Sequence, residues 1–450
     1  MPPGVTLPLP PSLPRRFPGQ HLIALNRDRL GFLQRAVAEC GDVAHISMGP
    51  LHLVVLTHPD DIRDVLVTNK RNFIKGRGLQ RAKRLLGEGL LTSEGSFHLR
   101  QRRLAQPAFH RERIAGYADV MATYAERTRD GWTAGATIDV GREMMELTLA
   151  IAGKTLLNAD VGGDTRRIGD ALTEVMRLFN LAMLPFAEYL DKLPLPWNLR
   201  FERAKATLDE IMYRVIAERR ASGGDRGDLL SMLMLAQDAE GDGGVMTDEQ
   251  VRDEAMTIFL AGHETTANAL TFAWYLISQH AEVEARMHAE VASVLNGRTP
   301  RMDDVMSLRY VRMVFTESMR LFPPAWTLGY RAVEEYPLKG FRIPAGSLVL
   351  MPQYIVHRDP RWYDDPLRFD PDRWSQPVER PRFAYFPFGG GVRQCIGEQF
   401  AWTEGILVLA TMIQKWRLRI PEGTPLAVAP SFTLRPRDKV LATLEPRSRL

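Results

Sequence analysis

The chain has 450 residues, 45% of them hydrophobic and 25% charged, which is the composition of a globular protein. Its formal net charge of +4 is too small to predict nucleic-acid binding by itself. No apolar run approaches the roughly 18–20 residues that a membrane span needs. Its two cysteines, Cys40 and Cys395, are too far apart for a C-x-x-C metal or redox motif and agree with a reducing compartment. We therefore expect a soluble, cytoplasmic protein.

The first half of the chain predicts an arm, a hairpin and then helices. Residues 1–20 are proline-rich, lack the order of a signal peptide and predict an extended arm. Residues 43–56 contain two short β-rich runs around Gly49 and Pro50, which indicates a hairpin. From residue 60 to about 240 the pattern is helical, with breaks at the glycine-rich stretches 87–89, 162–163, 222–227 and 241–244.

A long helix is predicted next, because Thr247 and Gln250 form a capping box and the pattern stays helical from 248 to about 279. Such a helix is on the order of 45–50 Å long. It is followed by a helix over about 306–321, strands within 331–356, an irregular segment to 394 and a last helix from near Glu398. Without an internal repeat or linker, we expect one large domain over 21–450 behind the arm 1–20.

Cys395 lies in an unusual setting. The residues Phe388, Gly391, Arg393, Cys395 and Gly397 occupy the fixed positions of the pattern F-x-x-G-x-R-x-C-x-G. A lone cysteine is usually a small buried hydrophobe. Here, however, the surrounding glycines permit close approach of another body, and a helix N-terminus just after Cys395 favours a thiolate. The run predicts a thiolate ligand to a flat anionic group such as haem.

The middle of the long helix, residues 261–266, reads AGHETT. A mid-helix glycine costs about 1 kcal/mol relative to alanine, and two adjacent threonines are β-branched. A helix selected only for packing would avoid this combination, so we expect a local distortion that leaves a groove for a small ligand. The alternative interpretation, a solvent-facing Glu264 and Thr265, stays open at this point.

Several further groups are suited to charge pairing. Glu317 and Arg320 share a helix face at i,i+3, although exposed pairs of this kind are common. His98 and Arg102 point the same way at i,i+4. Arginine suits bidentate pairing with carboxylates, and Arg393, two residues before Cys395, can neutralise a nearby anion. An ordinary surface position is the alternative for each of them.

Along the chain, the motifs at 98–102, 261–266, 317–320 and 388–397 follow one another in the order found in the cytochrome P-450 family. They resemble those of that family over nearly the whole chain. The resemblance implies a mainly α fold with a small β region, in a single large triangular-prism domain. It implies that Cys395 is the axial ligand of the iron of haem b (iron-protoporphyrin IX), and that Glu264 and Thr265 are the catalytic acid and alcohol. The other implied cofactor contacts are His98, Arg102, Arg331 and Arg393 for the propionates, with His357 as a weaker candidate, together with Phe388, Gly391, Gly397 and Ala261. Glu317, Arg320 and Arg373 are implied to form a buried ion-pair network.

The activity implied by the resemblance is that of a haem-thiolate monooxygenase. Such an enzyme uses O₂ and two electrons from NAD(P)H, passed on by a ferredoxin or flavodoxin and its reductase. It hydroxylates or epoxidises a lipophilic small molecule such as a fatty acid, terpenoid or steroid. The implied pocket lining is residues 85–91, 178–195, 259, 261, 325–328 and 432. Arg100 and Arg103 are candidates for the docking face of the electron donor.

Other classes of activity stay open on sequence alone. A peroxygenase would use the same haem but would not need the Glu264–Thr265 pair. An isomerase, a dehydratase or a haem sensor is a further alternative. A helical binding module without haem would leave the run around Cys395 unexplained. We expect a monomer.

Overall fold

The computed structural model describes residues 7–49, 51–158, 165–182, 193–238 and 244–447. Its contacts divide the chain into two compact units. The β-rich unit comprises Met1–Arg81, Arg320–Arg368 and Pro377–Cys395. The helical unit comprises Ala82–Met319, Phe369–Gln376 and Ile396–Leu450.

Helices account for most of the regular structure. In chain order they are α1 Gln20–Arg27, α2 Arg29–Cys40, α3 Pro59–Arg63, α4 Arg77–Leu86, α5 Gly95–Ala105, α6 Arg111–Gly131, α7 Val140–Leu157, α8 Thr165–Ala182, α9 Pro196–Ser222, α10 Leu229–Leu235, α11 Asp248–Gln279, α12 Ala281–Leu295, α13 Arg309–Leu321, α14 Gln353–Val356 and α15 Glu398–Ile413. Among the described helices, none combines the length and apolarity that crossing a bilayer requires.

The strands are short. They are β1 Val43–Met48, β2 Leu51–Leu56, β3 Phe73–Lys75, β4 Thr137–Asp139, β5 Leu328–Ala332, β6 Tyr336–Leu338, β7 Phe341–Ile343, β8 Leu348–Met351, β9 Trp416–Arg419, β10 Val428–Pro430, β11 Leu434–Pro436 and β12 Leu441–Pro446. In the β-rich unit, one sheet has the order β1-β2-β8-β5-β3, and β6 pairs with β7. The helical unit contains the sheet β4-β12-β9 and the pair β10-β11.

The hairpin predicted over 43–56 is confirmed, since β1 and β2 pair antiparallel from Val43↔Leu56 to Met48↔Leu51. Strand β2 also pairs with β8 in parallel, which ties the hairpin to a segment almost 300 residues away. Valine and leucine side chains of this sheet form a buried core, to which Val54 and Val349 contribute with 0% and 1% exposure. The sheet is therefore well packed, and it anchors the ends of the loops that connect its strands.

The described part of the proline-rich arm is extended, as predicted, and joins the β-rich unit. The backbone N–H of His45 donates to the Pro11 carbonyl at 2.7 Å, and that of Arg342 donates to the Pro8 carbonyl at 2.9 Å. Leu13 is buried with 3% exposure. Because proline cannot donate a backbone hydrogen bond, the arm contributes carbonyl acceptors only at these two positions. Residues 1–6 lie outside the described part.

In the helical unit, α11 begins as the sequence predicts. Thr247 accepts from the N–H of Gln250, and the Gln250 side chain accepts from the N–H of Thr247, which completes the capping box. The helix then runs to Gln279, packs against α7 and is buried over most of its length. A long helix that is buried on nearly all sides holds its functional side chains in fixed positions.

Three sequence predictions need adjustment. The helix expected from about 306 begins at Arg309, after a 3₁₀ turn over Met302–Met306. The strand region expected to reach residue 356 ends at Met351, and Gln353–Val356 is a helical turn. The largely helical stretch 60–240 also contains β3 and β4. The glycine break at 162–163 and most of the loop at 241–244 lie outside the described residues.

Candidate active site

The loop that carries Cys395 depends on glycine. Gly389 and Gly391 have φ values of +71° and +66°, a region that other L-residues rarely adopt. A Cβ atom on Gly391 would lie 2.1 Å from the Leu66 carbonyl oxygen, so the backbone approach leaves no room for a side chain. The Cys395 N–H donates to the Phe388 carbonyl at 2.9 Å, which closes the loop, and the Cys395 side chain is exposed.

Two buried polar side chains of the β-rich unit, Arg320 and His357, bind backbone segments of the same unit. The guanidinium of Arg320, which has 0% exposure, donates to the carbonyls of His357, Pro366 and Arg368 at 2.8, 2.7 and 3.1 Å. His357 Nε2 accepts from the Phe386 N–H at 3.0 Å. His357 therefore bonds to the segment that leads into the loop, and its weaker expectation, a propionate contact, stays a prediction.

A helix follows Cys395 immediately, as predicted. Gly397 is the N-cap of α15, and its carbonyl accepts from the Ala401 N–H at 2.9 Å. The free N–H groups and dipole at a helix start stabilise an anion placed just ahead of it. An exposed thiol on a tight loop three residues before a helix has the chemistry of a thiolate ligand.

Helix α11 is accessible to solvent only at the predicted motif, within its stretch 251–274. Over residues 251–274 every residue is buried except Ala261, Gly262 and Thr265. Positions i, i+1 and i+4 lie on one helix face. The surface that this buried helix leaves accessible is therefore confined to one face of the AGHETT segment, which is what contact with a bound group requires.

The two threonine hydroxyls of this motif bond back to the helix. Thr265 donates to the Ala261 carbonyl at 2.6 Å, and Thr266 donates to that of Gly262 at 3.1 Å. The backbone remains α-helical throughout. The expected helix distortion is therefore wrong. The accessible face arises from small side chains on an unbroken helix.

Glu264, the residue before Thr265, is buried with 6% exposure. Its Oε1 accepts from the Thr433 hydroxyl at 2.6 Å, and Thr433 in turn accepts from the Asn268 amide at 3.2 Å. Its Oε2 is buried and has no hydrogen-bond partner among the described residues. Burial raises the pKa of Glu264, while the Thr433 hydrogen bond opposes the rise. A buried carboxyl that favours its protonated form is suited to giving up a proton.

Glu317 is the centre of a buried network in the helical unit. It has 0% exposure, and its Oε1 accepts from Arg373 Nε at 2.9 Å and from the Asp370 N–H at 3.0 Å. Its Oε2 accepts from Trp374 Nε1 at 2.8 Å. The predicted pairing of Glu317 with Arg373 is thus present, and Trp374 is an additional member that the sequence did not indicate.

The four expected propionate contacts lie two in each unit. His98 is buried on α5, where its Nδ1 is 3.1 Å from the Leu90 carbonyl, and Arg102 is half-buried one turn later. Arg331 is exposed on β5, and Arg393 is half-buried in the 3₁₀ turn Gly391–Arg393. Their convergence on one anionic group stays a prediction.

The residues expected to line the pocket differ in burial. Phe259 is fully buried with 0% exposure, whereas Ala261 lies on the accessible face. Leu328 and Phe432 are half-buried. Within the expected stretch 178–195, residues 183–192 lie outside the described part, and only the last three residues have described side chains.

The basic cluster proposed for docking is paired within the protein. Arg103 forms a two-point contact with the buried Asp238, at 2.9 and 3.0 Å from its oxygens. Arg100 Nε lies 3.6 Å from the same carboxylate. One buried carboxylate therefore offsets part of this positive charge, which leaves less of it for an external partner.

Sequence reasoning missed Thr433 and a second buried acid, Glu404. Glu404 lies on α15 with 1% exposure, and burial raises its pKa to about 8. An acidic residue inside the otherwise apolar run of α15 is a signal that was present in the sequence. Nothing around Thr433 in the sequence indicates its contact with Glu264.

The chain matches one protein family and several curated proteins. The family model described as Cytochrome P450 matches residues 8–441. Cyclooctatin synthase from Streptomyces melanosporofaciens is 42% identical, over 92% of this chain and 91% of that protein. Cyclooctat-9-en-7-ol 5-monooxygenase from the same organism is 40% identical over 90% and 88%, and pentalenene oxygenase from Streptomyces avermitilis is 36% identical over 93% of each.

Proteins of this family carry haem b and take electrons from NAD(P)H through redox partners. The residues present fit that group: an exposed thiol on a glycine-dependent loop just before a helix, and a helix face with a hydroxyl next to a buried acid. The resemblance inferred from the motifs is confirmed along nearly the whole chain, and the fold class with it. This chain belongs to the cytochrome P-450 family and is a haem-thiolate monooxygenase.

Proposed function

We propose that this monooxygenase oxidises a cyclic terpenoid at an unactivated carbon. The names of the relatives at 40% and 36% identity specify oxygenation of cyclooctat-9-en-7-ol and of pentalenene, both terpenoids. The observation that carries the proposal is the accessible face of α11, where Ala261, Gly262 and Thr265 interrupt a buried helix next to the buried Glu264. A small apolar face beside a proton source suits a hydrocarbon substrate, which offers few polar groups to bind.

Haem bound through Cys395 supplies the O₂ chemistry, and the protein supplies orientation, protons and exclusion of water. In this proposal, His98, Arg102, Arg331 and Arg393 hold the propionates. Phe388, Gly391 and Gly397 shape the loop around the thiolate.

Thr265 and Glu264 are proposed to form the proton path. Thr265 donates to the Ala261 carbonyl, so its oxygen can still accept a hydrogen bond from the accessible side. Glu264 holds a proton in a buried site, with Thr433 fixing one of its oxygens. Positioned general acids of this kind typically contribute about 10²–10⁴-fold.

The electron donor is inferred to be a ferredoxin or flavodoxin with its reductase, since members of this family take electrons from NAD(P)H through redox partners. Residues 21–450 are proposed to act as one haem domain, present as a monomer in the cytoplasm. Docking is expected to depend on surface cations that the protein does not itself pair, which makes Arg103 a weaker candidate than its sequence position indicated.

The test is a binding screen followed by turnover. Cyclic sesquiterpenes and diterpenes, fatty acids and steroids are titrated into the haem-loaded protein, and the low-to-high-spin Soret shift is recorded. Compounds that bind are then incubated with NADPH, a ferredoxin, its reductase and ¹⁸O₂. Incorporation of one labelled oxygen into a terpenoid supports the proposal.

Two results would contradict the proposed function. A response confined to fatty acids or steroids would overturn the substrate class. Turnover with hydrogen peroxide that is equal in the Thr265→Ala variant would favour a peroxygenase, because that reaction does not need the proton path. Thr265→Ser is the matched control, since it keeps the hydroxyl.

A further inference from the structure

A short turn between α4 and α5 is attached to α11 by its backbone. The N–H of Glu88 donates to Asp253 Oδ2 at 2.8 Å, and the N–H of Leu90 donates to Glu254 Oε2 at 3.0 Å. Two consecutive carboxyl groups of one helix thus bind alternate amides of the turn over residues 87–93. We call these four groups the carboxyl clamp.

The clamp requires glycine on the turn. Gly87 has a φ of +53°, and a Cβ atom there would lie 1.9–2.3 Å from the carboxyl atoms of Asp253. A Cβ atom on Gly89 would lie 2.2 Å from Thr257 Oγ1 and 2.6 Å from the Asp253 carbonyl oxygen. The backbone of the turn therefore rests directly on α11, and this contact explains the glycine break seen in the sequence.

The turn is also closed on itself. The Thr92 hydroxyl donates to the Gly87 carbonyl at 2.7 Å, and the Ser93 N–H donates to the Gly89 carbonyl at 2.9 Å. Thr92 and Ser93 both have 0% exposure. A turn with its own hydrogen bonds moves as one piece, so the clamp positions all of it.

The two carboxyl groups are held in different ways. Asp253 also pairs with Arg252 Nη1 at 2.8 Å, and Arg252 reaches across to Asp209 on α9. Glu254 has 0% exposure, and its Oε1 has no hydrogen-bond partner among the described residues. Burial raises the pKa of Glu254 to about 8 and also raises that of Asp253. The neutral carboxyl of Glu254 still accepts from Leu90, so the clamp persists at neutral pH.

The location of the clamp connects it to the active site. Glu254 lies two helical turns, or roughly 10 Å, before Ala261 on α11. The carbonyl of Leu90 is 3.1 Å from Nδ1 of His98, an expected propionate partner. The N–H of the same residue bonds to Glu254. The turn falls within the expected pocket lining 85–91.

We propose that Asp253 and Glu254 are positioning residues that fix the turn 87–93 as one wall of the substrate pocket, so that loosening it changes how tightly a terpenoid binds and which carbon is oxidised. This inference rests on the proposed function for the pocket, but the clamp itself does not. Neither carboxyl is proposed to touch the substrate or the reacting atoms.

The first comparison is Glu254→Ala with Glu254→Gln in the haem-loaded protein. Glutamine keeps a carbonyl oxygen that accepts from Leu90, whereas alanine removes it. Loss of one buried hydrogen bond corresponds to about tenfold in an equilibrium constant. We therefore expect Glu254→Ala to accelerate hydrogen exchange of the peptide 86–93 about tenfold, to raise the terpenoid Kd in the spin-state titration by a similar factor and to alter the product ratio. Glu254→Gln is expected to stay near the wild type.

The second comparison uses glycine. Gly87→Ala places a methyl group against Asp253, whereas Gly95→Ala has a similar φ of +58° and meets nothing within 4 Å. Gly87→Ala should reproduce the faster exchange and weaker binding, and Gly95→Ala should not. This pair keeps the test valid if Glu254→Ala fails to fold.

Each outcome decides the matter. Unchanged exchange in Glu254→Ala and Gly87→Ala would show that there is no clamp. Faster exchange with an unchanged Kd and product ratio would reduce the clamp to a structural contact and overturn the proposal. If the wild type binds no terpenoid, the proposed substrate class fails, and the same comparison is made with the screened compound that gives the largest spin shift.

Discussion

The hydroxyl of Thr433 donates to Oε1 of Glu264 at 2.6 Å, across 169 residues of sequence. Burial raises the pKa of Glu264, and this hydrogen bond opposes the rise. Thr433→Val should therefore raise the pKa further. Because Glu264 is proposed to act in its protonated form, the alkaline limb of the kcat profile should move to higher pH.

The profile is measured with saturating substrate and electron donor, so that it reports the bound enzyme. Thr271→Val is the matched control, since Thr271 is a buried threonine of α11 whose hydroxyl only bonds back to the Ala267 carbonyl. An alkaline limb that stays in place in Thr433→Val would exclude Glu264 as the proton donor.

The buried pair of Glu317 and Arg373 should be essential for stability. Glu317→Ala leaves the Arg373 charge and the Trp374 N–H without their buried acceptor, which typically costs about 3–5 kcal/mol. The exposed pair Arg286–Asp372, with contacts of 2.6 and 2.8 Å, lies nearby, and Asp372→Asn should cost about 0–1 kcal/mol.

The measurements for this comparison are the midpoint of thermal unfolding and the haem retained after gel filtration. We expect Glu317→Ala to lose both stability and haem, and Asp372→Asn to resemble the wild type. Equal midpoints in the two variants would show that the burial of Glu317 does not carry the stabilisation inferred from it.

Gly391 should tolerate no side chain. Gly391→Ala forces a positive φ on alanine and a 2.1 Å approach to the Leu66 carbonyl, so the strain of about 1–3 kcal/mol falls on the loop that positions Cys395. Gly346→Ala also has a positive φ, +79°, but meets nothing within 4 Å. Only Gly391→Ala should reduce the red-shifted Soret band of the reduced carbon monoxide complex, the signature of thiolate ligation. An intact band in that variant would show that the loop adapts.

Glu404 should make stability depend on pH. Its pKa is raised by burial to about 8, against about 4.3 for a glutamate in an unfolded chain. The native state therefore holds a proton that the unfolded state releases between these values. The stabilisation is fully present below about pH 4.3 and is lost as the pH rises through about 8, amounting to a few kcal/mol.

Glu404→Gln should remove this component, so that the unfolding midpoint falls less between pH 5 and pH 8 than in the wild type. The exposed Glu422→Gln is the control and should leave the pH dependence unchanged. A slope that is the same in Glu404→Gln and the wild type would mean that Glu404 does not retain its proton on folding.

Local signals in the sequence were sufficient to predict several structural elements. The capping box of Thr247 and Gln250 predicted the start of α11, and the glycines around Cys395 indicated a backbone that another group approaches closely. These features depend on a few neighbouring residues, and propensity and capping act over that range. The start of α15 after Gly397 was predictable for the same reason.

What the sequence could not provide is pairing over long separations. The contact of Thr433 with Glu264 and that of Glu254 with Leu90 depend on packing between distant segments. The expected distortion at the AGHETT motif was wrong because Thr265 and Thr266 satisfy their hydroxyls on carbonyls four residues earlier without interrupting the helix. Composition alone does not distinguish these two ways of accommodating threonine in a helix.

The turn 87–93 is held through main-chain amides, so its placement does not depend on the exposed side chain at 88 or the half-buried side chain at 91. Glu88 is exposed and pairs only locally with Lys83 at 2.6 Å. Randomised libraries at these positions should therefore yield mostly folded enzymes with altered product profiles, whereas libraries at 87 and 89 should yield few. The turn is where catalytic repertoire can diversify, by drift or by directed evolution, at little cost to the architecture.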